Sequence, residues 1–186
     1  MSFLDQLTTD QRDMLVSLPY RVGMMVSQSD TSGGDESDDL EMQTLSNLLD
    51  GYAQEVFGAE TVQYVISETV SRKKDWPRWA EQISSVEGDC HQAIDLLSEM
   101  VDEKEVSAFK NYLVEIGESV ALAFREYDAS VPVWEKLRIY YLYYSGKAKA
   151  AKRKMQYKSF DEFLNISFAE RRALNKIAAA LNTIYI

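Results

Sequence analysis

The sequence is poor in cysteine, histidine, proline and glycine, and each shortage excludes a class of structure or chemistry. One cysteine, Cys90, and one histidine are present, so neither an intramolecular disulfide nor a zinc site built from these two residue types is expected. Only 3 prolines and 8 glycines interrupt the 186 residues, which indicates few turns and long elements. A single thiol is typical of a reducing compartment, and we expect a cytoplasmic protein.

Long apolar runs are also absent. The longest, IYYLYY at residues 139–144, is six residues long and mostly tyrosine, whereas a transmembrane helix needs about 20 apolar residues. The opening stretch MSFLDQLTTDQRD lacks a basic region followed by an apolar one, so no signal peptide is predicted. Hydrophobic residues make up 46% of the chain, which is typical of a globular protein with one sizeable core.

Charge is distributed unevenly along the chain. The net charge is −10, but residues 1–127 carry 9 Lys and Arg against 25 Asp and Glu, whereas residues 128–186 carry 11 against 5. The first part is therefore acidic and the second basic. This asymmetry indicates a basic partner for the first part, an anionic partner for the second, or docking of the two parts on each other.

Helical periodicity dominates the sequence, and we find no strand alternation. We therefore predict an all-α fold, with residues 1–186 forming a single domain of about 8–10 helices. Thr8 or Thr9 is predicted to cap a first helix that continues to Ser27. Pro19 lies inside that helix and is predicted to kink or split it.

The remaining helices are predicted from caps and apolar spacing. Ser37 or Asp38 is expected to cap a helix that continues to Phe57. Asp75 is expected to cap a later helix, with Pro77 in its first turn. Another helix, beginning after Asp102, is predicted to continue to about Tyr127. Capping-box patterns are present in three pairs: Asp102 with Glu105, Ser159 with Glu162, and Ser167 with Glu170.

An acidic segment lies between the first two predicted helices. Residues 30–41 contain six acidic side chains around a Gly-Gly pair. Their number equals that of an EF-hand loop, but the sixth position holds Asp35 instead of the glycine required there, so an EF-hand is excluded. A looser site for calcium or magnesium is still predicted, with oxygen ligands from Asp30, Asp38, Asp39 and Glu41. The alternative is a hydrated loop whose carboxylates only favour a helix N-terminus.

Three stretches resemble the TerB-like proteins, the tellurite-resistance group. They are LVSLPYRVGMMVSQSDTSGGDESDDLEMQTLSNLL, EIGESVALAFRE and SFAERRALNKIAAALN, within residues 10–127 and 160–186. The turn after the first helix is longer and more acidic than in the family, and Ser29 stands where an alanine usually precedes the aspartate. The resemblance implies an all-helical fold, a possible divalent-cation site at the acidic turns and no established enzymatic activity. Residues 128–158 do not match and are predicted to form a helical insertion.

A second acidic turn lies near the end of the chain. Glu126, Asp128 and Glu170 would meet there only if the insertion folds away from the rest of the domain. The alternative is that Glu170 simply closes the capping box of Ser167.

The predicted insertion combines aromatic and basic residues. The aromatic stretch VWEKLRIYYLYY precedes residues 146–158, in which six of thirteen residues are basic and none is acidic. Such a segment can bind phosphates or an anionic membrane surface through weak, non-specific contacts. The alternative is a solvated helix whose lysines meet the acidic part of the same chain or of a second copy.

Catalytic patterns are scarce. Cys90 and His91 are the one pair that suggests a nucleophile and a base, but neighbouring residues on a helix do not face each other. Cys90 belongs to an apolar stripe and is interpreted as inert packing. No Gly-rich phosphate loop, G-x-S-x-G or H-E-x-x-H is present. We therefore expect a protein that is not an enzyme.

Two functions of different classes follow. The first is a cytoplasmic, stress-associated, TerB-like protein that binds a divalent cation at residues 30–41, without another cofactor. The second is an interaction module whose basic residues 146–158 dock an acidic protein, a nucleic acid or an anionic lipid. The partner is then an unknown protein or a second copy of the chain.

Overall fold

The computed structural model describes residues 3–29, 35–54, 58–123, 147 and 166–185. Within these ranges the regular structure is helical and contains no strand, so the all-α prediction is confirmed. The α-helices of these ranges are α1 (Thr9–Ser27), α2 (Asp35–Gln54), α3 (Glu60–Ser71), α4 (Trp76–Ala80), α5 (Val86–Met100), α6 (Glu103–Ala123) and α7 (Phe168–Ala180). Short 3-10 helices are formed by Phe3–Gln6, Lys73–Asp75 and Ile83–Ser85.

Several predicted features lie outside the described residues. They are the insertion at 128–158 apart from Lys147, the capping pair Ser159 and Glu162, and the helix ends predicted at Phe57 and Tyr127. In the ranges that are described, no helix is both long and apolar enough to cross a membrane.

Helix α1 forms the centre of the fold. It packs against each of the other six α-helices. Every residue from Leu15 to Met24 is buried, whereas Met14 and Met25 are only partly buried. A helix that is buried on all sides is expected in the middle of a helical domain, where no face meets solvent. The sequence predicted a one-sided apolar stripe, and the buried surface is wider than that stripe.

The N-terminus of α1 forms as predicted, but the effect predicted for Pro19 does not appear in full. Thr8 forms a capping box with Gln11, whose backbone N–H donates to Thr8 Oγ1 at 3.3 Å. The helix then continues from Thr9 to Ser27 with Pro19 inside it, so the predicted split is wrong. A proline removes one helical hydrogen bond. Packing against the surrounding helices on both sides of Pro19 stabilises the continuous helix.

Helix α2 begins earlier than predicted and lies close to α1. It starts at Asp35, before the predicted caps Ser37 and Asp38, and the described part ends at Gln54. Acidic residues in a first helical turn are favoured by the helix dipole, which is consistent with this earlier start. Gly23 of α1 lies against the Leu45 side chain, with no room for a Cβ unless Leu45 moves. A glycine at this position permits the close approach of the two helices.

Helices α3 and α4 enclose an aromatic cluster with α1. Trp76 and Trp79 are buried, as predicted, and Tyr20 stacks on Trp76 with ring centroids 4.6 Å apart. Pro77 lies in the first turn of α4, also as predicted. The capping role predicted for Asp75 is wrong, because Asp75 makes no side-chain cap and instead accepts a hydrogen bond from Arg72 Nε at 2.8 Å.

The capping box predicted at the start of α6 forms only in half. Asp102 Oδ1 accepts a hydrogen bond from Glu105 N at 2.9 Å, as a cap should. The Glu105 carboxylate, however, accepts from Thr61 N at 2.7 Å and from Glu60 N at 3.3 Å. The cap residue of α3, Ala59, has no side chain that can serve there, so Glu105 caps α3 from a neighbouring helix.

Helix α7 closes the domain against α5, α6 and α1. Its capping box is the predicted one: Ser167 Oγ accepts from Glu170 N at 3.2 Å, and the Glu170 carboxylate accepts from Ser167 N at 2.8 Å. A Cβ on Gly117 of α6 would lie 2.8 Å from Leu174 Cδ2. Gly117 therefore permits α7 to approach α6 closely.

Candidate functional site

The predicted cation site lies at the connection from α1 to α2. Helix α1 ends at Ser27, and Ser29 Oγ then donates to Val26 O at 2.7 Å. Asp30 lies outside the described residues, as do the side chains of Asp38, Asp39 and Glu41, so their use as ligands stays a prediction.

The backbone of α2 nevertheless limits which of these residues would act together. Asp38, Asp39 and Glu41 occupy its first two turns. Asp38 and Glu41 are three positions apart and share a helix face, whereas adjacent residues such as Asp38 and Asp39 are turned about 100° from each other. A cation held at the start of α2 would therefore be bound by Asp38 and Glu41 more readily than by Asp39.

Metal-binding clusters elsewhere would compete with this assignment. Among the described residues, no group of three or more His, Cys, Asp or Glu side chains is arranged to hold a metal ion. The prediction of a cation site consequently depends on the acidic segment between Asp30 and Glu41.

Basic side chains lie close to the point where the acidic segment begins. A groove of about 260 Å³ lies between the end of α1 and the first half of α7. Lys176, in its wall, pairs with Glu87 at 3.1 Å, and Arg172 is exposed. These two cations are an intramolecular source of positive charge that would compete with a metal ion. The groove is lined by Met25, Ser29, Ala169, Arg172, Ala173 and Lys176.

The second acidic turn is not assembled within the described residues. Glu170 is buried, with 4% of its surface exposed, and its carboxylate closes the capping box of Ser167. Glu126 and Asp128 lie outside the described residues. The capping role of Glu170, the simpler of the two interpretations, is confirmed.

Cys90 and His91 do not form a nucleophile and base. Cys90 is fully buried on α5, and burial raises the pKa of its thiol to about 12. His91, the next residue, is exposed. A buried thiol with a raised pKa is a poor nucleophile, so the interpretation of Cys90 as packing is confirmed.

A buried arginine is the feature that sequence reasoning missed. Arg21, in the middle of α1, is only 1% exposed. Its Nη2 donates to Asp89 Oδ2, to Ser85 Oγ and to Gln82 O, each at 2.6 Å, while Nη1 donates to Ser17 Oγ at 3.2 Å. Nε is buried without a hydrogen-bond partner. Arg21 thus fixes the segment between α4 and α5 to the central helix.

Asp13 is the centre of a second ionic cluster, near the surface. Its carboxylate accepts two hydrogen bonds of 2.9 Å from Arg78 and one of 2.5 Å from Arg72. The hydrogen bond from Arg78, and then that from Arg72, hold the pKa of Asp13 below its usual value despite partial burial. Arg12 pairs with Glu68 at 2.7 Å, and Lys73 with Asp50 at 2.5 Å. The basic residues of this part of the chain are therefore largely neutralised by its own acids.

Comparisons with protein families, with characterised proteins and with solved structures give no match to this chain. The resemblance to TerB-like proteins accordingly stays a prediction.

Proposed function

We propose that this protein is a non-enzymatic, cytoplasmic, TerB-like module that binds a divalent cation at residues 30–41. The observation that supports this most is the position of α2. Because α2 begins at Asp35, its first two turns and the connection before it bring six acidic residues to one end of the α1–α2 pair. Carboxylates concentrated in this way repel one another, and a cation relieves that repulsion.

The ligands are ranked by the helix geometry. Asp38 and Glu41 share a face of α2, and Asp30 enters from the connection, so these three form the inner set. Asp39 is expected to contribute less. Calcium or magnesium is preferred on chemical grounds, because the candidate ligands are all carboxylates and hard cations select oxygen.

Calorimetric titration of metal-free protein tests the proposal. Saturable binding of calcium or magnesium is expected for the wild type and should be lost in the double variant Asp30→Asn and Glu41→Gln. The matched control changes Asp95 to Asn and Glu99 to Gln, two exposed acids on α5 that lie away from the loop. The control should bind like the wild type. Equal loss in both variants would mean that the ion only responds to the overall acidic charge.

Interaction through the basic residues 146–158 is the second candidate. It is favoured by the internal pairing of positive charge in the acidic part, where ion pairs hold Arg12, Arg21, Arg72, Lys73 and Arg78. The positive charge left for a partner is concentrated late in the sequence, and Lys147 is exposed.

Salt dependence tests this second candidate. Affinity for a short labelled DNA should fall with salt, with a slope of about −0.9 per duplex phosphate neutralised or about −0.7 for single strands. Changing Lys152, Arg153 and Lys154 to Gln should abolish the binding in anisotropy and in liposome co-sedimentation. Equal signals from variant and wild type would remove this candidate.

A further inference from the structure

An apolar groove lies between the start of α3 and the exposed face of α6. It consists of two adjoining depressions of about 280 and 540 Å³, which share Lys104, Ala108 and Asn111. The floor is formed by small or buried apolar side chains, among them Ala59, Val62 and Ala108.

Acidic residues border this groove. Glu103 lies at one end and Glu115 at the other, and both are exposed. Glu115 is held by a hydrogen bond of 3.2 Å from Tyr52 Oη, so its carboxylate is partly oriented before any partner arrives. Lys104 is the one cation that lines the groove.

The surroundings of the groove are also strongly acidic. Residues 81–123, which include α5 and α6, contain 10 Asp and Glu against 2 Lys, a net charge of −8. A low-dielectric groove bordered by one sign of charge concentrates ligands of the opposite sign. The apolar floor supplies contact area, and the acidic border selects the charge of the partner.

We propose that this groove docks a lysine-rich polypeptide segment with small apolar side chains. Small side chains suit a shallow floor lined by alanine and valine, while lysine ammonium groups reach Glu103 and Glu115 at its two ends. This surface is distinct from the acidic segment 30–41 and does not depend on cation binding there. It is also distinct from the anion-binding role considered for residues 146–158.

A labelled peptide with the sequence of residues 146–158, GKAKAAKRKMQYK, is a suitable probe because it combines lysine and alanine. The full chain can occupy its own groove with the same sequence. Binding is therefore measured by anisotropy on wild type and on a full-length variant in which that segment is neutralised, with Gln at positions 147, 149, 152, 153 and 154. We expect saturable binding to the neutralised variant. The affinity should weaken as salt reduces the Debye length from about 10 Å at 0.1 M to about 3 Å at 1 M.

Substitutions in the groove separate docking from general attraction. In the neutralised variant, Glu103→Gln with Glu115→Gln should weaken binding about three- to tenfold, the range for two partly exposed ion pairs. Lys104→Gln should strengthen binding, because it removes the repelling cation. Ala108→Leu should weaken it without any change of charge, because it fills the floor. The charge-matched control, Asp95→Asn with Glu99→Gln on α5, should change it less than twofold.

Two results would overturn the proposal. One is the absence of saturable binding to either protein up to about 1 mM peptide, the level of the weakest specific contacts. The other is an equal loss from the groove pair and the α5 control, which would indicate attraction to net charge alone. Light scattering identifies the source of the segment: wild-type dimers that dissociate on Glu103→Gln and Glu115→Gln would show that a second copy supplies it.

Discussion

Among single residues, the buried Arg21 has the largest expected effect on stability. Its guanidinium is 1% exposed and depends on Asp89 for a counter-charge. Asp89→Ala should cost about 3 kcal/mol of unfolding free energy, because it leaves a buried charge unpaired. Asp95→Ala, on the same helix but exposed, should stay within about 0.5 kcal/mol of the wild type. Urea denaturation measures both values.

A double variant checks that the unpaired charge is the cause. Arg21→Met removes the charge and keeps an unbranched side chain of moderate length, so Arg21→Met combined with Asp89→Ala should recover at least half of the loss. If the double variant is less stable than Asp89→Ala alone, the network stabilises mainly through its shape and hydrogen bonds.

Asp13 should make stability depend on pH in the acid range. Its folded-state pKa lies below the usual value of 3.8 because Arg78 and Arg72 stabilise the carboxylate. The contribution is therefore present above the unfolded-state pKa and is lost as pH falls through the lower, folded-state pKa. Asp13→Asn should cost about 1 kcal/mol at pH 7, and the difference from the wild type should shrink below pH 3.8. A constant difference from pH 7 to pH 2 would contradict this account.

Arg21 also shows what single residues reveal in a sequence. Met14, Leu18, Arg21 and Met25 recur at helical spacing, so a charged residue on an apolar stripe was visible. Its partner was not, because Asp89 lies 68 positions away and only the folded chain brings the two together. Cys90 was easier to interpret, because its apolar neighbours are on the same helix.

Among the elements, the contact between α6 and α7 depends on a glycine. A Cβ at Gly117 would lie 2.8 Å from Leu174 Cδ2 and 3.3 Å from Val26 Cγ2. Gly117→Ala should therefore cost about 1–2 kcal/mol, because overpacking outweighs the better helix propensity of alanine. Gly51→Ala, on α2 with nothing within 4 Å of its Cβ, is the control and should gain up to about 1 kcal/mol. Thermal unfolding should move the two variants in opposite directions.

Local caps were predicted well, and caps between helices were not. Thr8 with Gln11 and Ser167 with Glu170 are three residues apart, so the sequence pattern contains both partners. Glu105 fits the same pattern after Asp102, yet its carboxylate binds the first amides of α3. A pattern of three residues cannot show that a neighbouring helix start lies within reach.

For the whole molecule, the all-α class was predictable because helical spacing is continuous along the chain. The central position of α1 was not, because burial on every side comes from the packing of six other helices. The candidate site was predictable only as a composition, with six acids in residues 30–41. The start of α2 at Asp35 adds the face shared by Asp38 and Glu41.

The most direct test of the proposed cation site is the melting temperature of metal-free protein, measured with added calcium, magnesium or manganese. An ion at 100 times its Kd should add about 2.7 kcal/mol, which is a rise of roughly 5–10 °C for a chain of this size. The rise should be absent in the Asp30→Asn and Glu41→Gln variant and present in the Asp95→Asn and Glu99→Gln control. No rise for the wild type at millimolar concentrations of all three ions would contradict the account and leave residues 30–41 as a hydrated helix cap.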